Sequence, residues 1–330
     1  MRRLATLLLV PALLLGAAAC GSDSKDDKGD TTSRQVPVST TGAVTANSAF
    51  GQQPNIAIPE KVKPPKDMQV QVLTEGSGPV VDKNNMATFN YEGVSWSSRR
   101  VFDSSFEAGR TPFTVPDLTS GLIQGWLEAM PGKKVGTRLL MTIPPDKGYG
   151  PDGNPPKIAK NETLVFVVDL VDTVGKTDGA QGTAVNVTNA DLPKVQTDGV
   201  KITGLTFPKD KPAPTALVKQ PLIEGTGAAV TATDTVTMQT VQYVWGADKA
   251  LGSSWGGSGP SQVSLATGNT TLMKTLADSL AGVKVGSRVM LVIPPDKAFG
   301  AEGNQQAGVP ANATLVLVLD VLRTAAVSNG

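Results

Sequence analysis

Apolar residues fall along this chain of 330 residues in two rhythms, interrupted by one run that fits neither. Met68-Gln69-Val70-Gln71-Val72 alternates apolar with polar, the period of a half-buried strand. Met86–Trp96 and Arg138–Ile143 read as further strands, and the nearly continuous apolar stretch Leu164–Val171 predicts a central one. A helical period occurs at Ile123, Trp126 and Leu127, spaced i, i+3, i+4 along one face. It predicts a short helix over Leu122–Met130, with Thr119 or Ser120 as N-cap and Pro131-Gly132 as the stop. One short helix laid across an antiparallel sheet is an α+β design.

The exceptional run is Leu4–Ala19, which follows Arg2 and Arg3 and is broken by Pro11. It falls short of the roughly 20 residues of a membrane span and has the form of a signal peptide over 1–19. Ala17-Ala18-Ala19 stands directly before Cys20, an arrangement that resembles a bacterial lipobox, with Cys20 acylated and anchoring the chain to a membrane. The alternative is ordinary signal cleavage beside an incidental cysteine. Cys20 is the only cysteine, so no internal disulfide can form. Residues 20–59 are rich in Gly, Ser, Thr, Asp, Lys and Gln and read as a flexible tether.

The strand-and-helix pattern occurs twice. Gly132-Lys133-Lys134-Val135-Gly136-Thr137-Arg138 returns as Gly282-Val283-Lys284-Val285-Gly286-Ser287-Arg288, and Ile143-Pro144-Pro145-Asp146-Lys147 returns unchanged from Ile293 to Lys297. A period this long means two copies of one domain, placed at 60–174 and 212–324, with a linker at 175–211 and a tail at 325–330. The few apolar residues of the linker (Val200, Ile202, Leu205, Phe207) can pack on a neighbour.

Composition narrows the chemistry. With 30 basic and 29 acidic side chains and no basic block, nothing points to nucleic acid. The 35 glycines and 24 prolines favour short strands and turns over long helices. There is no histidine, which removes Ser-His-Asp and Cys-His nucleophiles, most zinc sites and the commonest general base. Gly148-Tyr149-Gly150-Pro151-Asp152-Gly153 spells a dinucleotide-type glycine pattern, but Pro151, Pro155 and Pro156 forbid the helix that pattern requires.

What remains is a scatter of aromatics with the Asp103 carboxylate and the Tyr149 phenol among them: Val101-Phe102-Asp103-Ser104-Ser105-Phe106, then Leu122-Ile123-Gln124-Gly125-Trp126, then Ile143–Gly150. Such a set can wall an apolar cup with two polar handles, suited to a reaction that needs desolvation rather than proton transfer. These residues, together with Tyr91-Glu92-Gly93 and Thr163-Leu164-Val165-Phe166, occur in the order of the FKBP-type peptidyl-prolyl cis-trans isomerases, and the first copy resembles that family over nearly all of 66–173. The resemblance implies two tandem FKBP-like domains, each a five- to six-stranded antiparallel sheet wrapped on one short helix. It implies a cup with Trp126 as floor and Tyr91, Phe102, Phe113, Leu122 and Phe166 as walls. Tyr149 and the backbone N–H of Ile123 would hydrogen-bond substrate carbonyls, Asp103 would lie near the twisting amide, and Ile158 would close one lip. Lys157, Ala159 and Lys160 depart from the apolar loop usual in the family.

That chemistry is self-consistent. An X-Pro bond turns over a barrier of roughly 18–20 kcal/mol because resonance resists twisting. A dry cup removes the water that favours the planar amide, and lowering the barrier by about 5 kcal/mol accelerates the step several-thousandfold. No cofactor is needed. The implied partners are proline-containing polypeptides, macrolide inhibitors and a membrane reached through the lipid anchor at the outer face of a bacterial cell. The leading function is isomerisation that assists folding of exported proteins. The alternatives are a non-catalytic peptide-binding chaperone and a structural or adhesion lipoprotein.

The second copy keeps the scaffold and loses the chemistry. Leu276 stands at the Trp126 position, Thr240 at Tyr91, Leu251 at Phe102, Gly252 at Asp103, Phe299 at Tyr149 and Leu317 at Phe166, while Trp245 matches Trp96 and Trp255 matches Phe106. This predicts a degenerate domain that folds but isomerises poorly or not at all.

Overall fold

The structure, a computed structural model, describes residues 34–266 and 270–326. The expected leader, Cys20, the start of the tether and the last four residues lie outside them. Among the described residues no helix is long and apolar enough to cross a membrane.

A small ribbon of β1 (Thr45–Asn47) and β2 (Asn55–Ala57) precedes the first copy. That copy comprises β3 (Gln69–Thr74), β4 (Met86–Ser95), β5 (Val101–Ser104), β6 (Phe113–Val115), α1 (Gln124–Ala129), β7 (Arg138–Ile143) and β8 (Leu164–Val174). Then come β9 (Gly182–Ala184) and a ribbon of β10 (Lys194–Asp198) and β11 (Lys201–Thr206). The second copy comprises β12 (Val218–Gly225), β13 (Thr235–Val244), β14 (Gly252–Ser253), β15 (Ser261–Ser264), α2 (Thr271–Leu280), β16 (Arg288–Ile293) and β17 (Leu315–Ala325). The first sheet runs β3-β7-β8-β4-β5 with β6 also on β4, and the second runs β14-β13-β17-β16-β12-β9 with β15 on β13. All pairings within both sheets are antiparallel. The fold is α+β, with the linker lending β9 to the second sheet.

β8 shows why its sequence is apolar without a break. Leu164, Phe166, Val168 and Leu170 face the helix, in one core with Phe89, Trp126 and Met141. Val165 and Val167 face the other way, in a second core with Val94, Val101 and Leu140. Both faces of this strand are covered.

The cover on the outer face corrects the expected tether, which does not extend to residue 59. Val36, Ile56 and Ile58 are buried against that face. The same segment completes a buried ion pair. Arg138 grips Asp169 through Nε and Nη2 at 2.5 and 2.7 Å, and donates to the carbonyls of Ser48 and Gln52 at 3.0 and 2.7 Å. The N–H of Gly51 donates to Asp169 at 2.7 Å. A buried charge pair persists only when its remaining donors and acceptors are met, so backbone from a polar-looking segment is required there. The linker repeats the device. Leu192 and Ile202 are buried with Phe207 against the second sheet, whereas Val200 is exposed. Arg288 holds Asp320 at 2.6 and 2.7 Å, Ala180 N–H donates to Asp320 at 2.9 Å, and Val200 offers its carbonyl to Arg288.

Two local expectations also change. The helix begins at Gln124, with Ile123 as N-cap and no side-chain cap. Thr119 instead folds back on Asp117, its N–H 2.9 Å from the carboxylate. Val70 and Val72 are exposed rather than half-buried, because β3 is an edge strand paired to β7 alone. Gly125 permits the close approach of α1 to the sheet, since a Cβ there would meet Ile143 at 2.8 Å. The copies touch through Met86, Val174 and Leu322 and through Arg323 Nε, 2.7 Å from Asp172.

Candidate active site

Between α1 and the inner face of the first sheet lies a cavity of about 550 Å³. The sheet register assembles its wall. Gly93 on β4 pairs with Phe166 on β8 and with Asp103 on β5, which puts Phe102 and Phe166 on either side of a residue with no side chain. A Cβ on Gly93 would lie 2.5 Å from the Phe102 ring and 2.7 Å from the Phe166 ring, so glycine is what lets both rings lean inward. Tyr91, two residues earlier on the same strand, points to the same face and joins them.

Trp126 is buried at 4% exposure and ties the rings together. Its ring centre lies 5.3 Å from Phe89, 5.6 Å from Tyr91 and 5.5 Å from Phe166, all edge to face. Phe102 meets Phe166 at 5.5 Å and Tyr91 meets Phe113 at 6.0 Å in the same manner. Edge-to-face packing suits the ring quadrupoles and fixes each ring's tilt, so the cup is stiff. Phe113 and Tyr149 are each 39% exposed and stand at its mouth.

The polar groups are few. Asp103 accepts hydrogen bonds from the Tyr91 hydroxyl and, at 2.9 Å, from Arg110. Burial, then the Asp103 hydrogen bond, push the Tyr91 phenol well above its ordinary range. The Tyr149 phenol is raised as well, first by burial and then by the Asp103 charge, with the Asn154 amide acting in the other direction. Both phenols are therefore protonated at neutral pH. Tyr91 already donates its hydroxyl hydrogen bond to Asp103, whereas Tyr149 sits half-exposed in the lining. Ile123, at the helix N-cap, also lines the cavity, and its backbone N–H is taken up by no hydrogen bond within the described residues. The arrangement can dehydrate a peptide unit, hold its carbonyls by donors and place one carboxylate nearby. Among the described residues no group of three carboxylates or thiols gathers to hold a metal.

Nine of the ten residues singled out in the sequence line this one cavity: Tyr91, Phe102, Asp103, Phe113, Leu122, Ile123, Trp126, Tyr149 and Phe166. Ile158 does not. The Asn154–Ile158 bridge (2.9 and 3.0 Å) folds the loop back and buries Ile158 in the core at 2% exposure, rather than at the lip. Sequence reasoning missed Arg110, whose only signal is a lone arginine seven residues after Asp103 in a loop without periodicity.

The second copy reproduces the frame. Gln242 pairs with Leu317 and Gly252 as Gly93 pairs with Phe166 and Asp103. Leu251, Leu276 and Phe299 then pack as aliphatic and aromatic filling against the core, and neither a phenol nor a carboxylate occupies the positions of Tyr91, Tyr149 and Asp103.

The sequence pattern described as FKBP-type peptidyl-prolyl cis-trans isomerase matches the chain twice, over residues 78–171 and 226–322. A probable FK506-binding protein of Corynebacterium glutamicum is 37% identical over 122 residues, covering 36% of this chain and 98% of that protein. An FK506-binding protein of Streptomyces anulatus is 38% identical over 110 residues, 33% of this chain and 88% of that protein. The crystal structure of FkpA from Escherichia coli is similar at 34% identity over 32% of this chain and 47% of that one, with a TM-score of 0.29. Both matched regions coincide with the two sheets built around Gly93 and Gln242, together they span more than half of the sequence, and the chain belongs to the FKBP-type peptidyl-prolyl cis-trans isomerase family.

Proposed function

We propose that the isomerase activity resides in the first copy and serves the folding of exported, proline-containing polypeptides at the outer face of a bacterial membrane, where lipidated Cys20 anchors the chain. One observation carries the placement in the first copy: of two copies with the same frame, only the first brings the Tyr91–Asp103–Arg110 set and the Tyr149 phenol to an aromatic cup. The anchor rests on the leader and Cys20 in the sequence.

In this reading a proline ring lies on Trp126, between Tyr91, Phe102, Phe113, Leu122 and Phe166. The cup strips water from the X-Pro amide and so disfavours the planar form, whose charge separation water stabilises. Tyr149 and the Ile123 N–H donate to carbonyls of the peptide and hold one flank while the other turns. Asp103, fixed by Tyr91 and Arg110, sets the field beside the rotating bond. The proton stays on Tyr149 throughout, because its pKa lies above the ordinary phenol value. Macrolides that present a ring to Trp126 and carbonyls to the same donors compete for the cup.

The test is a proline-peptide isomerisation assay on the full chain. Tyr149→Phe and Asp103→Gly, which install the residues of the second copy, are expected to leave about one tenth of the activity or less. Full activity in both variants would place the reaction elsewhere in the chain. Anchoring is tested separately, by fatty-acid labelling of the wild type and of Cys20→Ser in a bacterial host. Equal labelling of the two would remove the anchor.

A further inference from the structure

Each copy ends its long second strand at a tryptophan on the outer face of the sheet. Trp96 follows β4 and Trp245 follows β13, and their backbone N–H groups donate to Thr163 and Thr314 at 3.0 and 2.9 Å, so the two occupy the same place in the frame. In the second copy this tryptophan is covered. The ring of Phe207 lies 5.5 Å from Trp245 and 5.9 Å from Tyr243, and the indole N–H of Trp245 donates to the carbonyl of Lys211 at 3.2 Å. Both groups come from the stretch that leads into β12.

The first copy lacks this cover. Counting back from β3 as Phe207 lies back from β12, the corresponding residue is Ile58, which is buried and aliphatic. Among the described residues no ring packs on Trp96, and its indole N–H has no hydrogen-bond partner. What remains is a groove of about 390 Å³ bordered by Val44, Val62, Pro65, Leu140 and Trp96 together with the polar Lys63, Gln69, Gln71 and Thr142. It lies on the face of the sheet opposite the cup: Trp96 belongs to the outer core, Tyr91 and Trp126 to the inner one.

We propose that this groove is a second polypeptide-binding site, which takes an aromatic side chain of an extended, unfolded client while the indole N–H of Trp96 donates to a client carbonyl. The chemistry of the occupant is written in the sister copy, where a phenylalanine ring and a backbone carbonyl four residues later fill the same position. The apolar part of the border and the uncommitted indole donor match those two groups. A client held there presents its prolines to the cup at a raised effective concentration.

The probe is a labelled peptide of residues 204–213 carrying Pro208→Ala and Pro212→Ala, so that nothing in it suits the isomerase cup. We expect it to bind the full-length protein saturably. Affinity falls about tenfold or more in Val62→Asp, a residue 45% exposed and thus tolerant of the change, while proline isomerisation is unaltered. Gln71→Asp, at an exposed residue of the neighbouring strand on the same face as Leu140, repeats the test. A denatured aromatic-rich polypeptide displaces the probe. Absence of binding, undiminished affinity in both aspartate variants, undiminished affinity of a peptide that also carries Phe207→Ala, or displacement by a macrolide would each overturn the proposal. So would dimers of the protein that the peptide dissolves, since the occupant would then be a second copy of this chain.

Discussion

Trp126 and its counterpart Leu276 allow a clean experiment on a single side chain. The second copy shows that this frame accepts leucine under the sheet. Trp126→Leu therefore keeps the fold, at a stability cost of about 1–3 kcal/mol from lost ring contacts, while turnover drops about tenfold or more because the floor of the cup recedes. Circular dichroism and urea titration check the first part and the isomerisation assay the second. The phenol of Tyr91 adds a prediction in pH. Its pKa is raised on folding, so below the ordinary value of about 10 folded and unfolded chains bind the same proton and its contribution is fully present. As pH climbs past that value the unfolded chain loses the proton first, and stability falls. Denaturation at pH 8, 9.5 and 11 should show a steeper alkaline loss in wild type than in Tyr91→Phe. Parallel slopes would remove Tyr91 as the cause. At this scale the sequence was largely legible, because aromatics, Asp103 and Tyr149 bring recognisable chemistry with them. Ile158 and Arg110 were not: whether a loop residue turns inward or reaches back depends on backbone bridges that no local pattern announces.

At the scale of elements, the segment before β3 supports the first sheet as the strands do. Residues 34–36 pair with the chain just ahead of Phe102 and Asp103: Val101 N–H donates to Arg34 and Val36 N–H to Arg99, both at 2.8 Å. Arg34 also reaches Glu92, fully buried between Tyr91 and Gly93, at 2.6 Å, and Glu92 accepts from Gln53 and Ser104 as well. Removing the guanidinium leaves that carboxylate short of its one cation among the described residues. Arg34→Met is expected to destabilise the chain by about 1–3 kcal/mol in urea titration, with Arg34→Lys intermediate; no loss in Arg34→Met would mean that Gln53 and Ser104 suffice. The second copy has Val241 in place of Glu92, on the strand where the chemistry is also missing. Strand and helix types were readable because β4, β7, β8 and α1 carry strong periods. The docking of 34–58 was hidden for a physical reason. Its three buried aliphatics are sparse, and most of its binding comes from backbone groups that serve Arg138 and Asp169, and backbone chemistry leaves no mark in composition.

For the whole molecule the question is how many sites two copies make. The repeat was visible at once in Ile-Pro-Pro-Asp-Lys, but shared scaffold motifs do not distinguish an active copy from a filled one; only the residues facing inward do. In the first copy those residues surround about 550 Å³ with rings and donors. In the second, Leu251, Leu276, Leu317 and Phe299 fall to the same inner face and join the core, and the donor phenol of Tyr149 has become the ring of Phe299. A macrolide of the FK506 type gains its affinity from a ring seated on an aromatic floor and from carbonyls met by donors, and a leucine-lined core offers neither. Calorimetric titration of the full chain should thus give one macrolide bound per chain. Tyr149→Phe should weaken that single site without exposing a second, and Trp126→Leu should reduce it further. A stoichiometry of two would show that the leucines part to admit ligand, and the division of labour between the copies would have to be abandoned.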